Sequence, residues 1–157
     1  MDQSPQTFTG GCLCGAVRFE AAGEPLWIAH CHCGSCRRNT GAAVATFVGV
    51  RRDGFRYRAG KPAVYESSPS VWRSFCAACG TPLTYEAARC ADEVHINIGS
   101  LDDPAAFAPT MHVHVAEQLP WLHMDDGLPR YAASSRNAQP IGSGPAASGP
   151  DRQRKPT

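Results

Sequence analysis

The chain reads as a small, mainly β domain with very little helix, held together by metal more than by a large core. Three observations predict this. Between Thr7 and Val115 most segments show alternation, or β-branched and aromatic enrichment, between Gly, Pro and Asp punctuation. Leu, Ile, Val and Phe together number only 26 of 157 residues, and a domain with so thin a core needs a staple. Seven of the eight cysteines fall into three tight clusters, Cys12/Cys14, Cys31/Cys33/Cys36 and Cys76/Cys79.

The strands are expected at Ala16–Glu20, Ala43–Val50, Phe55–Arg58, Val71–Phe75, Pro82–Tyr85, Glu93–Ile98 and Met111–Val115. Helix has little room: one short turn is expected over Ser35–Thr40, directly after the middle cysteine cluster, and another near Pro104–Phe107. Residues 6–131 form the domain. Residues 134–157 change character, with eleven of twenty-four being Gly, Pro or Ser and Ile141 the only large aliphatic residue. Such a stretch buries too little to order itself and reads as a disordered tail.

The cysteine clusters read as metal ligands. Met1–Thr9 has neither a basic region nor an apolar stretch, so nothing there reads as a secretory signal and the chain is expected in the cytoplasm. A reducing compartment disfavours disulfides. Cysteines one or two residues apart rarely bridge each other without strain, whereas they converge readily on one ion. Cys12 and Cys14 stand in a glycine-flanked turn, and Cys76-Ala-Ala-Cys79 with Gly80 is a knuckle whose glycine can take the positive φ that turns backbone N–H groups toward sulfur. Two such halves give tetrahedral zinc on four thiolates, a closed structural site. Sixty-one residues lie between Cys14 and Cys76, so that ion ties the first hairpin to a late one.

Cys31-His-Cys-Gly-Ser-Cys36 supplies an odd number of thiols. Three protein ligands with an open position is the layout of catalytic zinc, and the alternative is closure by a fourth ligand from Cys90, His30, His32, His112 or His114. An ion on three thiolates carries a formal charge of −1 and acidifies water less than one on three imidazoles, so a soft ligand is the better guest. An incoming thiol loses its proton there. The open cluster therefore points to thiol activation ahead of hydrolysis.

Three strings carry a resemblance: Gly10-Gly-Cys-Leu-Cys-Gly-Ala-Val-Arg-Phe19; His30-Cys-His-Cys-Gly-Ser-Cys-Arg-Arg38 with Thr40-Gly41; and Phe75-Cys-Ala-Ala-Cys-Gly-Thr-Pro-Leu83. Gly99–Pro104, Leu119–Leu122 and Asp125–Tyr131 add to it. From about residue 8 to 131 the sequence closely resembles the glutathione-dependent formaldehyde-activating enzyme family, which also includes centromere protein V. The resemblance implies a β-tent-type fold and two zinc ions per chain: a structural one on Cys12, Cys14, Cys76 and Cys79, and a second on Cys31, Cys33 and Cys36. It also implies a carbon–sulfur lyase or synthase that adds a small thiol, glutathione, to formaldehyde or another small aldehyde to give an S-hydroxymethylglutathione-like product. The alternative is a non-enzymatic, zinc-stabilised binding module.

Arg37 and Arg38 follow the open cluster, where a guanidinium could hold a glutathione carboxylate by a bidentate contact. His32 sits between two expected ligands, and alternation points it away from them. His112 and His114 share one face of an expected strand and could flank a pocket. Cys90 reads as a free buried thiol, and Trp27, Trp72 and Trp121 as core or pocket wall. The net charge of +1 leaves no basic face for nucleic acid. Gly41–Val50, the longest run of small and apolar residues, is half the length needed to cross a bilayer.

Overall fold

The computed structural model describes residues 6–143. In chain order the strands are β1 (Thr7–Gly11), β2 (Arg18–Ala22), β3 (Trp27–Cys31), β4 (Ala45–Arg51), β5 (Phe55–Ala59), β6 (Ala63–Ser68), β7 (Val71–Phe75), β8 (Pro82–Ala87), β9 (Glu93–Asn97), β10 (Met111–Val113), β11 (Pro129–Arg130) and β12 (Gly142–Ser143). Three of them form a small sheet ordered β1-β2-β5, and nine form a large one ordered β12-β11-β10-β3-β4-β9-β8-β7-β6. Among the described residues the α-helix is α1 (Gly34–Thr40), between β3 and β4.

Side chains alternate across a strand, so the register of the large sheet sorts residues onto two faces. Val48 stands opposite Ile96, and Val50 opposite Val94. These four join Phe8, Val17, Phe19 and Ala21 from the small-sheet side in one core, which also takes in Cys12 and Cys76. Phe47 and Ala45 turn the other way. They pack with Val71, Tyr85 and Ala87 in a second core that takes in Cys31, Cys36 and Cys90. Each cysteine cluster is therefore rooted in a different face of the same sheet.

The seven expected strands all overlap observed ones, and the Ser35–Thr40 turn is α1. Pro104–Ala106 is a single 3-10 turn. Sequence reading missed β1, β3 and β6, together with the two-residue strands β11 and β12, the last of which lies within the stretch expected to be a disordered tail. β1 ends in two glycines, β6 ends in two serines, and β3, Trp-Ile-Ala-His-Cys, shows no clean alternation, so local propensity was weak and pairing supplied the order. The strand expected over Met111–Val115 stops at Val113, because His114 turns into the left-handed region at φ 57°. Of the tail expected over 134–157, residues 134–143 are described: Arg136 pairs with Glu93, and Ile141 N–H donates to the Arg130 carbonyl at 2.7 Å. Residues 144–157 lie outside the described residues.

Candidate metal centres

Cys12, Cys14, Cys76 and Cys79 bring their Sγ atoms within 4.8 Å of one another. Two turns do this. In the first, Gly15 N–H donates to the Cys12 carbonyl at 3.0 Å, and in the second, Gly80 N–H donates to the Cys76 carbonyl at 2.8 Å. Thr81 joins the turns by accepting from Leu13 N–H at 3.0 Å and lying 3.2 Å from Cys79 Sγ. The sulfurs of Cys12 and Cys14 are 3.6 Å apart, and those of Cys14 and Cys76 3.8 Å. A tetrahedron with metal–sulfur bonds of about 2.3 Å has edges of about 3.8 Å, so the group has the dimensions of a zinc site.

The protons of this cluster are unevenly held. A backbone N–H from Val17, 3.2 Å from Cys12 Sγ, pulls that thiol below its ordinary range. The hydroxyl and backbone of Thr81 bring Cys79 down to about 5. Against the pull of the Ala16 backbone, the sulfurs of Cys12 and Cys79 push Cys14 up to about 11. Cys12 and Cys79 are prepared as thiolates while their sulfurs hold the proton on Cys14, and a cation would remove that conflict.

Cys31, Cys33 and Cys36 likewise lie within 4.8 Å of one another by their sulfurs. β3 delivers Cys31, Cys33 caps α1 by accepting from Cys36 N–H at 3.3 Å, and Cys36 occupies the helix's buried face. The loop is held from outside by Glu117, whose Oε2 accepts from Gly34 N–H at 2.8 Å. Bonds from Cys31 and Cys36 hold Cys33 down at about 2, while bonds to Cys33 and Cys36 push Cys31 well above the thiol range. Cation-binding chemistry fits here as in the first cluster, with one sulfur fewer.

What distinguishes this second cluster is a cavity of about 520 Å³, which all three of its cysteines line. That volume falls within the roughly 300–1,000 Å³ of small-molecule sites. Its walls come from the second face of the large sheet, with Trp27, Phe47, Tyr85 and His95 as the large side chains and Arg73, Arg89, Arg136 and Glu93 as the charged ones. Gly49 makes room for the wall: a Cβ there would stand 2.2 Å from the Trp27 ring. Trp27 meets His95 edge-on at 4.5 Å, and His95 stacks on Tyr85 at 5.2 Å.

Cys90 is buried and lies on this cavity, close to Glu93 and His95. Glu93 already accepts from Trp27 Nε1 at 3.1 Å, lies 2.9 Å from His95 Nε2 and pairs with Arg136. Burial raises the Glu93 carboxyl, but hydrogen bonds from His95, Trp27 and Arg136 outweigh it and hold the group below the usual range.

The expected histidines divide between two places. His114 lines the cavity. His112, opposite in parity to the cavity-lining Met111 and Val113 of β10, is fully buried, with Nδ1 2.9 Å from His32 Nε2 and Nε2 2.9 Å from Asp126 Oδ2. His112 and His114 do not share a face, because β10 ends at Val113 and the left-handed turn at His114 breaks the alternation. His32 points away from the cavity, and burial followed by the charge of His112 brings it down to about 4. His30 bonds Thr46 Oγ1 at 2.8 Å on that same hidden side. Of the tryptophans, Trp27 is cavity wall, whereas Trp72 and Trp121 are exposed at 38% and 65%.

Arg37 and Arg38 do not line the cavity. They border a separate hollow with Gly34, Ser35, Ala42, Glu117 and Leu119. A helix turns about 100° per residue, so side chains one and two positions beyond Cys36 leave the face on which it points. Arg73, which sequence reading missed, reaches the cluster instead, with Nη1 and Nη2 each 3.8 Å from Cys36 Sγ. The signal was present in β7, where alternation puts an arginine on the inward side between Val71 and Phe75.

The family model described as glutathione-dependent formaldehyde-activating enzyme matches residues 7–117. Among solved structures, a Rhodobacter sphaeroides protein is similar: it is 27% identical, with 60% of this chain and 87% of that chain covered and a TM-score of 0.52. No curated protein matches. Among the described residues, no helix is long and apolar enough to cross a membrane.

Proposed function

Since the chain belongs to the glutathione-dependent formaldehyde-activating enzyme family, we propose that it is a zinc-dependent carbon–sulfur lyase or synthase that joins a small thiol, glutathione, to formaldehyde or another small aldehyde. The observation that carries this reading is the opening of the Cys31/Cys33/Cys36 cluster onto the cavity. Cys12, Cys14, Cys76 and Cys79 would hold a structural zinc, and Cys31, Cys33 and Cys36 a second one. The β-tent-type arrangement implied by the sequence resemblance belongs to this reading, as does a cytoplasmic setting, where glutathione is abundant.

A zinc ion held by Cys31, Cys33 and Cys36 would supply the Lewis acidity that favours the thiolate form of a bound thiol at neutral pH. The chain's own residues supply the rest. Trp27, Phe47 and Tyr85 line the wall with apolar surface that displaces water from the reacting groups. Arg73 places positive charge beside the sulfurs. In the reaction the thiol's S–H bond breaks, a carbon–sulfur bond forms at the carbonyl carbon, and the carbonyl oxygen takes up the proton as the C=O double bond becomes single. Holding both reactants in one cavity raises their effective concentration.

Exchange spectroscopy by NMR with formaldehyde and glutathione tests this. The zinc-loaded protein should speed interconversion of free and hydroxymethylated glutathione beyond the spontaneous rate. Equal rates with and without protein would overturn the reading and favour a zinc-stabilised binding module.

A further inference from the structure

One row of residues crosses five strands on the cavity face of the large sheet. Trp27 stands opposite Gly49, Gly49 opposite His95, His95 opposite Tyr85, and Tyr85 opposite Arg73. The row ends at the metal cluster, because Arg73 is the residue that touches Cys36. Arg73 is only 6% exposed, and its guanidinium carbon lies 5.0 Å from the centroid of the Tyr85 ring. Its Nε donates to Ser67 Oγ at 3.1 Å, and Nη1 and Nη2 each reach Cys36 Sγ. A guanidinium carries five N–H donors, so two remain unused.

Arg89 reaches the same ring from the exposed side. Its guanidinium carbon is 5.7 Å from the Tyr85 centroid, and it donates to the tyrosine hydroxyl. Neither Arg73 nor Arg89 meets a carboxylate among the described residues, whereas Arg136 pairs with Glu93. The cavity lining thus holds three guanidinium groups against one carboxylate. A zinc ion on three thiolates would offset one of the two surplus charges and leave the other unmatched. The surplus positive charge favours an anion in the cavity, with Arg73 buried beside the cysteines and Arg89 reaching the same ring from the solvent side.

We infer that Arg73 and Arg89, set against Tyr85, form a carboxylate subsite, so that the thiol this cavity takes is an anionic one with a carboxylate within reach of its sulfur. The inference rests on the proposed binding of a thiol at Cys31, Cys33 and Cys36. Charge-assisted hydrogen bonds from a planar fork are stronger than neutral ones and fix direction as well as affinity. They would orient the thiol with its sulfur toward the cysteines. Arg37 and Arg38 take no part, because they border a different hollow.

Calorimetric titration of the zinc-loaded protein with 3-mercaptopropionate and with its neutral amide, 3-mercaptopropionamide, tests the subsite. The acid should bind about tenfold tighter, the worth of one charge-assisted hydrogen bond, and raised salt should narrow the gap. In Arg89→Gln and in Arg73→Lys, each checked for unchanged zinc content, the preference should shrink to about threefold or less, as expected when half of a paired contact is lost. Arg89 is exposed and distant in sequence from every clustered cysteine, so its variant remains informative if Arg73→Lys folds poorly. Equal wild-type affinity for the two thiols, or an undiminished preference in Arg89→Gln, overturns the subsite and leaves thiol binding standing. Failure of both thiols to bind overturns the thiol reading and the subsite with it.

Discussion

The two cysteine clusters are made of the same side chain and rooted in opposite faces of one sheet, yet their surroundings differ in kind. Around Cys12, Cys14, Cys76 and Cys79 there are four sulfurs, two tight turns and a threonine that joins them, and the core packs directly behind Cys12 and Cys76. Around Cys31, Cys33 and Cys36 there are three sulfurs, a buried guanidinium and about 520 Å³ of space. A tetrahedral ion would be complete in the first and one ligand short in the second. Thiol chemistry alone does not separate a staple from a reactive centre. The number of sulfurs and the presence of a cavity do.

The largest expected effect that would break or support this contrast comes from the staple. Cys76 is 1% exposed and belongs to the main core. Zinc binding worth about 10–16 kcal/mol in small zinc domains rivals the ~5–15 kcal/mol stability of a whole domain. Cys76→Ser should therefore abolish cooperative thermal unfolding, followed by circular dichroism, and lower the zinc content by one ion per chain. A sharp melt near that of the wild type would show that this cluster is no staple.

Cys33→Ser should have the reverse profile. Cys33 is half-buried and caps a short helix, so the melt should shift little. One zinc should again be lost, and the exchange rate should fall by at least about a hundredfold, because changing even the partners of metal ligands costs 10–100-fold. If Cys33→Ser unfolds the protein as fully as Cys76→Ser, the division between staple and reactive centre fails.

The smallest effect sharpens the comparison at the backbone. Gly80 adopts φ +77° with open space around the position of a Cβ. Gly80→Ala should thus cost only the left-handed conformation, about 1–2 kcal/mol, visible as a drop of a few degrees in the melting temperature with thiol affinity unchanged. A loss of thiol affinity would mean that the two faces of the sheet are coupled more tightly than their separate cores suggest.

Much of this was legible in the chain. The seven clustered cysteines and the short helix after the middle cluster follow from local spacing and punctuation. The orientation of His32 away from the reactive side follows from alternation. Arg73 was legible too, as a charged residue at an inward position of β7, but an arginine on a strand acquires meaning only from what stands across from it. Arg37 and Arg38 illustrate the converse. Their nearness to Cys36 in sequence suggested a role in the site, and the turn of α1 carried them out of it.

By itself the sequence determined the three cysteine clusters and the predominance of strand, because cysteine spacing and residue alternation act over a few positions. Only the tertiary structure decided that one cluster opens onto a cavity and that the row from Trp27 to Arg73 leads to it. Cross-strand register is set by pairing between segments tens of residues apart, and a shift of one residue would move every side chain of that row to the other face.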